Sequence, residues 1–409
     1  MYVGKFMKVL VALPTQYPPL ACLDDVIVGK VASSGTISSF IRSADFLATA
    51  GIEVVVSSAC DSQSNRFSCI RHDQVDSQGF DWLIAHQSHW NGTNLTFGND
   101  CLQRSILWLH NQTSWSFVDS FLKAGGYRVV CPSAYLANHY RALSGWLEKI
   151  AVISNSYASV FAPTVDSPAR RLLFIGAITP SKGFTELMQI WSYLVTQNLD
   201  LEFAIAGGIR LHSSDTKLGD LGVADYKYEK HFIQPWYDAL PAAFRPYFLG
   251  SLPPVDLQRE IAQAWAVIVN PCWHAPETFA VSAVEAQACN RTVFGVMAGG
   301  LGETVYRGSF QSLTRSHSPK AVGDLILQGI KNPNAVAENG RLAGEFVRSR
   351  FSPEAVATAW IDLLHGKTVQ PESLRSWSTP MAVVQDLMRW TGTGLAAKTV
   401  YGKFRERSI

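Results

Sequence analysis

The order of apolar runs and helix-like segments in residues 264–303 constrains the fold of this chain most strongly. Ala264 to Val269 is an apolar run that stops at Asn270-Pro271, and Thr278 to Ala288 has the composition of a helix. Thr292 to Val296 is a second apolar run, and it reaches a Gly-Gly pair soon afterwards. A strand, a helix and a strand in this order predict a unit whose two strands lie parallel in one sheet.

The same order recurs from the start of the chain. Lys8 to Leu13 predicts a strand, Thr36 to Ala50 a helix that ends at Gly51, and Glu53 to Ser57 the next strand. A chain of 409 residues exceeds what a single hydrophobic core usually supports. A Pro-containing run from Pro163 to Ala169 suits a linker, so we expect one α/β domain over residues 1–165 and another over 166–380. Further strands are predicted at Asp81–His86, Ile106–Leu109, Arg128–Cys131, Arg171–Ile175 and Leu201–Ala206.

Composition excludes several classes of protein. Charged residues make up 17% and hydrophobic residues 47%, which is not the composition of a disordered chain, and a net charge of +2 gives no reason to expect a nucleic-acid partner. The seven scattered cysteines contain no C-x-x-C pair, which indicates reduced thiols in the cytoplasm and argues against a zinc site. The basic end of the chain (Lys398, Lys403, Arg405 and Arg407) is a solvated tail or a weak contact with an anionic membrane surface.

Two glutamates in the first-described stretch are candidate ligand contacts. Glu277 stands at the start of the predicted helix and Glu285 lies eight residues later, roughly 12 Å along a helix axis. This distance is near that between the sugar ring and the ribose of a nucleotide sugar. The backbone N–H groups of Thr278, Phe279 and Ala280, at the start of the helix, are suited to a diphosphate between them. Glutamates on a helix are more often solvated or salt-bridged, so the flanking residues must decide.

Those flanks make the stretch resemble the E-x7-E signature of retaining GT-B glycosyltransferases of the family 4 type, the glycosyl transferases group 1. Pro271 precedes the signature, Ala286 follows Glu285, and Gly299-Gly300-x-x-Glu303 comes after the next strand. The resemblance implies two Rossmann-like domains that face a cleft. The second domain would bind a nucleotide sugar and the first the acceptor, and residues 381–409 would pack back on the first domain. Two positions depart from the family, since Ala280 and Asn290 stand where it usually has glycine.

The resemblance assigns roles to the donor-binding residues. Glu277 would orient the transferred sugar, Glu285 the ribose, and Lys182 the departing diphosphate. Gly176 and Gly207, at strand ends, would line the nucleotide pocket. A family arginine is missing, because Ala177 stands in its place. Arg210 and Arg307 are the candidates for replacing its charge.

Two further candidates lie in the first half of the chain. Gly35 precedes the first long helix, and it is either a contact for donor phosphate or acceptor or a plain helix-entry glycine. The family has a Gly-Gly pair here, and this chain has Ser34-Gly35. His110 resembles the family's histidine beside the reacting sugar. The alternative interpretation is a histidine at the rim of the cleft whose hydrogen bonds are satisfied within the protein. His86 and His89 suggest a metal pair, but no carboxylate or cysteine cluster supports it, so no metal is expected.

The sequence therefore predicts a retaining glycosyltransferase, an enzyme of class EC 2.4, with no cofactor and no metal requirement. The donor would be a UDP- or GDP-sugar and the acceptor a hydroxyl compound, with Trp273 and His274 placed to recognise the base or the sugar. One alternative is another enzyme of this architecture, such as a phosphorylase or an epimerase. The other is a non-catalytic nucleotide-sugar binder or a partner subunit of a glycosylation complex, which the lost arginine, Ala280 and Asn290 favour.

Overall fold

A computed structural model describes residues 7–141, 146–164, 170–208, 216–367 and 369 of the chain. Its strands are β1 (Lys8–Ala12), β2 (Glu53–Ser58), β3 (Ser68–Arg71), β4 (Trp82–His86), β5 (Ser105–Trp108), β6 (Arg128–Cys131), β7 (Ile150–Val152), β8 (Arg171–Ile175), β9 (Glu202–Ala206), β10 (Tyr247–Gly250), β11 (Ala266–Ile268), β12 (Thr292–Val296) and β13 (Leu313–Thr314). Its α-helices are α1 (Asp24–Ile27), α2 (Gly35–Thr49), α3 (Trp115–Lys123), α4 (Ala134–Arg141), α5 (Phe184–Val195), α6 (Tyr226–Tyr228), α7 (Gln234–Ala239), α8 (Pro254–Gln263), α9 (Val281–Ala288), α10 (Leu301–Thr304), α11 (Pro319–Lys331), α12 (Pro333–Phe351) and α13 (Pro353–Leu364).

The strands form two parallel sheets. The first has the order β3-β2-β1-β4-β5-β6-β7 and the second the order β10-β9-β8-β11-β12-β13. In each sheet the order reverses beside the strand that comes first in sequence, so β1 lies between β2 and β4, and β8 between β9 and β11. Parallel sheets of this kind bind ligands at the carboxyl ends of the strands where the order reverses. The expected two-unit α/β architecture is confirmed.

The central strands carry consecutive apolar residues, as in β1 and β8, because helices cover both faces of each sheet. In β8, Leu173 and Ile175 pack in one core, whereas Leu172 and Phe174 pack in the core on the opposite face. The first sheet also separates two cores, with Val9 and Val11 on one side and Leu10 and Ala12 on the other. This pattern explains why continuous apolar runs in the sequence predicted the strands so well.

Within the described residues, the chain passes between the two units at two neighbouring places. After β7, Tyr157 and Phe161 already pack in a core of the second unit. At the other crossing, α13 returns to the first unit, where Trp360 lies edge-on to Trp108 with ring centroids 4.9 Å apart. The hydroxyl of Ser156 donates to the carbonyl oxygen of Phe351 over 2.8 Å, which joins the two crossings.

Several local predictions need correction or remain open. The helix expected from Thr278 begins at Val281, and the sequence did not predict β3, β10, β13 or α3. These three strands have four, four and two residues, too short for an alternation pattern. The tail at 381–409 lies outside the described residues, and the limits at 165 and 380 stay predictions. No helix in the described part of the chain is long and apolar enough to cross a membrane.

Candidate functional site

A cleft lies where the strand order of both sheets reverses. It encloses a cavity of about 360 Å³ lined by residues of both units, a volume within the range of small-molecule sites. The ten residues to which the sequence assigned catalytic or donor-binding roles all line it: Gly35, His110, Gly176, Lys182, Gly207, Glu277, Thr278, Phe279, Ala280 and Glu285. Sequence positions that are far apart therefore meet in one place, although their roles stay predictions.

The loop between β11 and α9 is organised by the side chain of Asn270. Its Nδ2 donates to the carbonyl oxygen of Ala275 and to Glu277 Oε1, both over 3.1 Å, and its Oδ1 accepts from the backbone N–H of Cys272. Asn270 itself has a φ of 23°, a region that Asn tolerates better than most residues. These bonds fix the carboxylate of Glu277 at the cavity wall.

Lys182 and Glu277 form an ion pair inside the cavity. Lys182 Nζ lies 2.7 Å from Glu277 Oε1 and 2.8 Å from Oε2. Lys182 follows β8 and Glu277 follows β11, so the pair spans the two adjacent strands at the reversal point of the second sheet. The pair thus places one cation and one anion at the cavity wall.

The later start of α9 has a clear backbone cause. The carbonyl oxygen of Glu277 accepts from the N–H of Gly300 over 2.7 Å, and the hydroxyl of Thr278 donates to the carbonyl oxygen of His110 over 2.6 Å. Residues 277 and 278 are thereby held outside the helix, and Ala280 becomes its N-cap. The two glutamates do not lie on a single helix, so the expected axial spacing between them does not apply.

Three backbone N–H groups at this loop have no protein acceptor. Within the described residues, no hydrogen bond is donated by the N–H groups of Thr278, Phe279 and Ala280. These groups line the cavity and lie just before an eight-residue helix. Unpaired N–H donors at the start of a helix attract anions. The diphosphate contact predicted for them remains available from the loop.

Glu285 lies opposite a buried arginine that the sequence reasoning missed. Arg42 Nη1 is 3.9 Å from Glu285 Oε1, and the residues are only 3% and 9% exposed. Burial raises the pKa of Glu285 to about 7, while the nearby guanidinium lowers it in part. Burial also lowers the pKa of Arg42. Arg42 Nε and Nη1 have no hydrogen-bond partner among the described residues, so the cavity contains a partly unsatisfied cation beside Glu285.

Arg42 supplies a positive charge to the cavity, whereas Ala177, at the position of the expected arginine, supplies none. It comes from α2 of the first unit and lines the cavity together with Lys182 of the second. Of the two replacements considered from the sequence, Arg307 is exposed and does not line the described cavity, and Arg210 lies outside the described residues. The feature that could have identified Arg42 as a site residue is its charge within a helix whose other residues are mostly buried.

His110 is a neutral residue at the end of β5. It is 5% exposed and packs against Phe40 and Trp108 with ring centroids 5.4 and 4.7 Å away. Burial holds its pKa well below the usual value for histidine. Its backbone N–H donates to Gln87 Oε1 over 3.0 Å, while Nε2 has no partner among the described residues. The ring can therefore face a ligand as a neutral imidazole.

The departures from glycine at three positions are compatible with the backbone. Asn290 has a φ of 61°, a left-handed conformation that Asn adopts more readily than other side chains. Ala280 has a φ of −90° and needs no glycine. Ser34 has an extended backbone and caps α2 by accepting from the N–H of Ile37. The backbone conformation at these three positions therefore does not require glycine.

The remaining candidates lie elsewhere. Among the described residues, one group of His, Cys, Asp and Glu side chains lies close enough together to hold an ion, and it contains neither His86 nor His89. His89 Nε2 lies 2.6 Å from the carbonyl oxygen of Leu13. Trp273 stacks on His317 with ring centroids 3.9 Å apart. Trp273 and His274 are not among the described residues that line the cavity.

Comparisons with known proteins bear on the family and the fold of this chain. Residues 159–345 match the family model described as glycosyl transferases group 1. A curated relative, D-inositol 3-phosphate glycosyltransferase 2 of Catenulispora acidiphila, is 25% identical over 207 residues, which cover 47% of this chain and 42% of that protein. The aligned region thus spans less than half of the relative.

Solved structures match over most of the chain. Sucrose-phosphate synthase from Thermosynechococcus elongatus has a TM-score of 0.66 at 15% identity, covering 88% of this chain and 98% of its own. Alr3699/HepE from Anabaena, in complex with UDP-glucose, has a TM-score of 0.61 at 16% identity and covers 88% of this chain and 100% of its own. At such identities the likeness concerns the fold.

Proposed function

We propose that this chain, whose residues 159–345 match the model of the glycosyl transferases group 1 and whose fold is that of the GT-B structures it resembles, transfers a sugar from a nucleotide diphosphate sugar to a hydroxyl acceptor with retention at the anomeric carbon. The observation that carries the proposal is the cavity at the reversal points of both sheets. Its second-unit wall holds Lys182, Glu277 and Glu285, and its first-unit wall holds His110 and Arg42. Retention itself rests on the family resemblance.

The leaving diphosphate would bind between Lys182 and the unpaired N–H groups of residues 278–280. Arriving phosphate oxygens would compete with Glu277 for Lys182 Nζ, which lies 2.7 Å from that carboxylate. Release of Glu277 would then leave its oxygens for sugar hydroxyls. Fixed positive groups stabilise charge that develops on a departing diphosphate, and this supports transfer without a metal ion.

Glu285 and Arg42 would hold the nucleoside part of the donor. Neither carboxylate oxygen of Glu285 has a hydrogen bond within the described residues, although Arg42 lies 3.9 Å away. A ribose diol donates two hydrogen bonds to a carboxylate, and Arg42 donates in turn to a phosphate or hydroxyl oxygen. A UDP- or GDP-sugar is the proposed donor, and the Anabaena structure with UDP-glucose supports the former.

His110 would lie beside the reacting sugar at the first-unit wall. Its buried, neutral ring has an unpartnered Nε2, which can accept from or donate to a sugar hydroxyl according to its tautomer. The acceptor hydroxyl would approach from the same wall. Localisation in the cytoplasm, inferred from the scattered cysteines, belongs to the same proposal.

The second candidate function is a nucleotide-sugar binder without turnover. Ala177 at the place of the family arginine favours it, because one cation fewer faces the leaving group. The ion pair of Lys182 with Glu277 and the cleft position of Arg42 favour the enzyme. The two functions differ in whether bound donor is consumed.

Thermal-shift binding of UDP-, GDP-, ADP- and dTDP-sugars, followed by release of nucleoside diphosphate, tests the proposal. A donor at a hundredfold its Kd stabilises the protein by about 2.7 kcal/mol. We expect one nucleotide to raise the melting temperature of the wild type and of Glu202→Ala, an exposed control, but not of Glu285→Ala.

Slow release of nucleoside diphosphate from that donor, with water or a supplied hydroxyl compound as acceptor, should follow. Lys182→Ala and Glu277→Ala should each reduce it by at least a hundredfold. Binding without any release across a panel of hydroxyl acceptors would favour the non-catalytic binder. Turnover that survives both substitutions would refute the assigned site.

A further inference from the structure

A second cluster of polar side chains lies behind the donor cavity, between the first turn of α5 and the loop that follows β11. Glu186 belongs to α5, and Cys272 and His274 belong to the loop. Their ligand atoms all lie within 4.8 Å of one another. The cluster was invisible in the sequence because Glu186 is far from the Cys-x-His pair along the chain.

The separations suit ligands of one tetrahedral ion. Cys272 Sγ lies 3.2 Å from His274 Nδ1 and 3.3 Å from Nε2, so the imidazole must rotate to direct Nδ1 at a shared ion. His274 Nδ1 lies 3.6 Å from Glu186 Oε1. With Zn–S near 2.3 Å and Zn–N and Zn–O near 2.0 to 2.2 Å, tetrahedral ligands are about 3.6 Å apart for sulfur and nitrogen and about 3.4 Å for nitrogen and oxygen. Small side-chain movements would therefore bring the three atoms into coordination.

One oxygen of Glu186 lacks a partner in the structure. Glu186 Oε2 is fully buried and makes no hydrogen bond with the described residues. A buried carboxylate oxygen without a partner destabilises the folded state unless a cation or a hydrogen-bond donor satisfies it. The Cys272 side chain is also buried, so an ion held by both residues would satisfy two buried ligand atoms.

We propose that Glu186, Cys272 and His274 form a zinc site that fastens the β11–α9 loop to α5. Zinc binds thiolate, imidazole and carboxylate together, and a water molecule would complete four ligands. On binding, the Cys272 thiol loses its proton to solvent and its sulfur bonds to the ion, with no change in oxidation state. The inference does not depend on the proposed transferase activity.

The position of the site gives it a structural role. Lys182 and Gly183 immediately precede α5, and the loop from Pro271 leads to Glu277. The two segments already touch, since a Cβ atom at Gly183 would lie 2.7 Å from Pro271 Cδ and 3.0 Å from the backbone nitrogen of Cys272. An ion held by both segments would fix the separation of Lys182 from Glu277 without entering the cavity.

Cobalt titration of chelator-treated, reduced protein tests the site directly. We expect one Co²⁺ per chain, with the thiolate-to-cobalt absorption band of a Cys-bound ion, displacement by Zn²⁺, and release of about one proton per ion. Zn²⁺ should also raise the melting temperature of the wild type. Glu186→Gln should weaken binding by tenfold or more, because it removes the anionic ligand.

The variants separate this site from adventitious binding. Cys272→Ser, a nearly isosteric change, and His274→Ala should abolish the band and the zinc-dependent melting shift, whereas Cys60→Ser, at a half-buried cysteine of the first unit, should leave both unchanged. Circular dichroism verifies that each variant is folded. Absence of saturable binding in the wild type, or a band that survives in folded Cys272→Ser, would overturn the inference and leave a hydrogen-bonded triad.

Discussion

Glu285 occupies an environment that disfavours its charged form. It is 9% exposed on α9, and the guanidinium of Arg42 is 3.9 Å away, too far for a hydrogen bond. Burial raises the pKa of the carboxyl group to about 7. The folded chain therefore keeps a proton on Glu285 at pH values where the unfolded chain has lost it. This residue makes the stability of the ligand-free protein depend on pH.

The sign of that dependence follows from linkage. Burial raises the pKa of Glu285 from its ordinary value of 4.5 to about 7 in the folded state, so its contribution to stability is fully present below pH 4.5 and is lost as pH rises through 7. We expect Glu285→Gln to gain about 3 kcal/mol of stability relative to the wild type between pH 4.5 and 8. Urea denaturation across this range, without nucleotide, measures the difference. Parallel pH curves for the two proteins would show that Glu285 titrates normally.

At the scale of residues, the sequence predicted which side chains meet where their positions follow from nearby strands. Glu277, Glu285 and Lys182 stand at fixed offsets from strand ends, and all three line the cavity. Arg42 could not be predicted in the same way, because its importance comes from α9, which approaches it from the other unit. A charged residue on a helix is usually solvated, and only the tertiary structure shows otherwise.

At the scale of elements, the Gly299-Gly300 turn shapes the loop that carries Glu277. A Cβ atom at Gly300 would collide with the carbonyl oxygen of Thr278 and lie 2.8 Å from its carbon. The N–H of Gly300 meanwhile donates to the carbonyl oxygen of Glu277. The two glycines permit a close backbone approach that sets where α9 begins.

Gly300→Ala should therefore displace the Glu277–Thr278 backbone. We expect donor affinity to fall at least tenfold, with a lower melting temperature, because backbone atoms on both sides must move apart. Gly302→Ala is the matched control, since a Cβ atom there meets only Met297 Cγ at 3.7 Å and Ala favours a helix over Gly. Calorimetric titration with the donor identified by thermal shift gives the affinities. Equal affinity in the two variants would mean that this backbone contact does not position the site.

The sequence predicted most strands, but not the exact start of α9. Helix composition extends back to Thr278, and local propensity alone favours a helix there. The hydrogen bonds from Gly300 and to His110 override it, and both partners are distant in sequence. Tertiary contacts of this kind cannot be read from a local pattern.

At the scale of the whole molecule, Glu303 connects the second unit to the first. Its two carboxylate oxygens accept from the backbone N–H groups of Ala134 and Tyr135, at 2.7 and 2.6 Å, at the start of α4. The helix start favours a negative charge. Thr278 adds another contact between the units through its hydroxyl bond to His110. These contacts hold the cleft in the observed arrangement.

Glu303→Gln should loosen this arrangement without unfolding either unit. The amide removes the charge and one acceptor, and charge-assisted hydrogen bonds contribute roughly 1.5–3 kcal/mol each. We expect a larger radius of gyration in small-angle X-ray scattering of the ligand-free variant, which donor binding partly reverses. Glu345→Gln, at an exposed residue of α12, serves as the control. Scattering curves identical to wild type would show that Glu303 does not restrain the two units.

The number of units and their α/β architecture were predictable, because alternating strands and helices extend over most of the chain. The return of α13 to the first unit was not predicted. Pro353 to Leu364 is an ordinary amphipathic pattern, and nothing in it reveals that Trp360 packs against Trp108. A pattern shows that a helix buries one face, but not which core receives it.

The paired crossings have a mechanical consequence. Because the segments after β7 and before α13 run side by side, joined by Ser156 and Phe351, they define a single hinge axis. Rotation of the units about that axis requires only changes in backbone torsion angles near the two links. Sliding or twisting of one unit against the other would strain both covalent links at once. A protease cut in either link would leave the halves tethered by the other. Rotation about that axis, which opens and closes the cleft, is therefore the motion that these two described links oppose least.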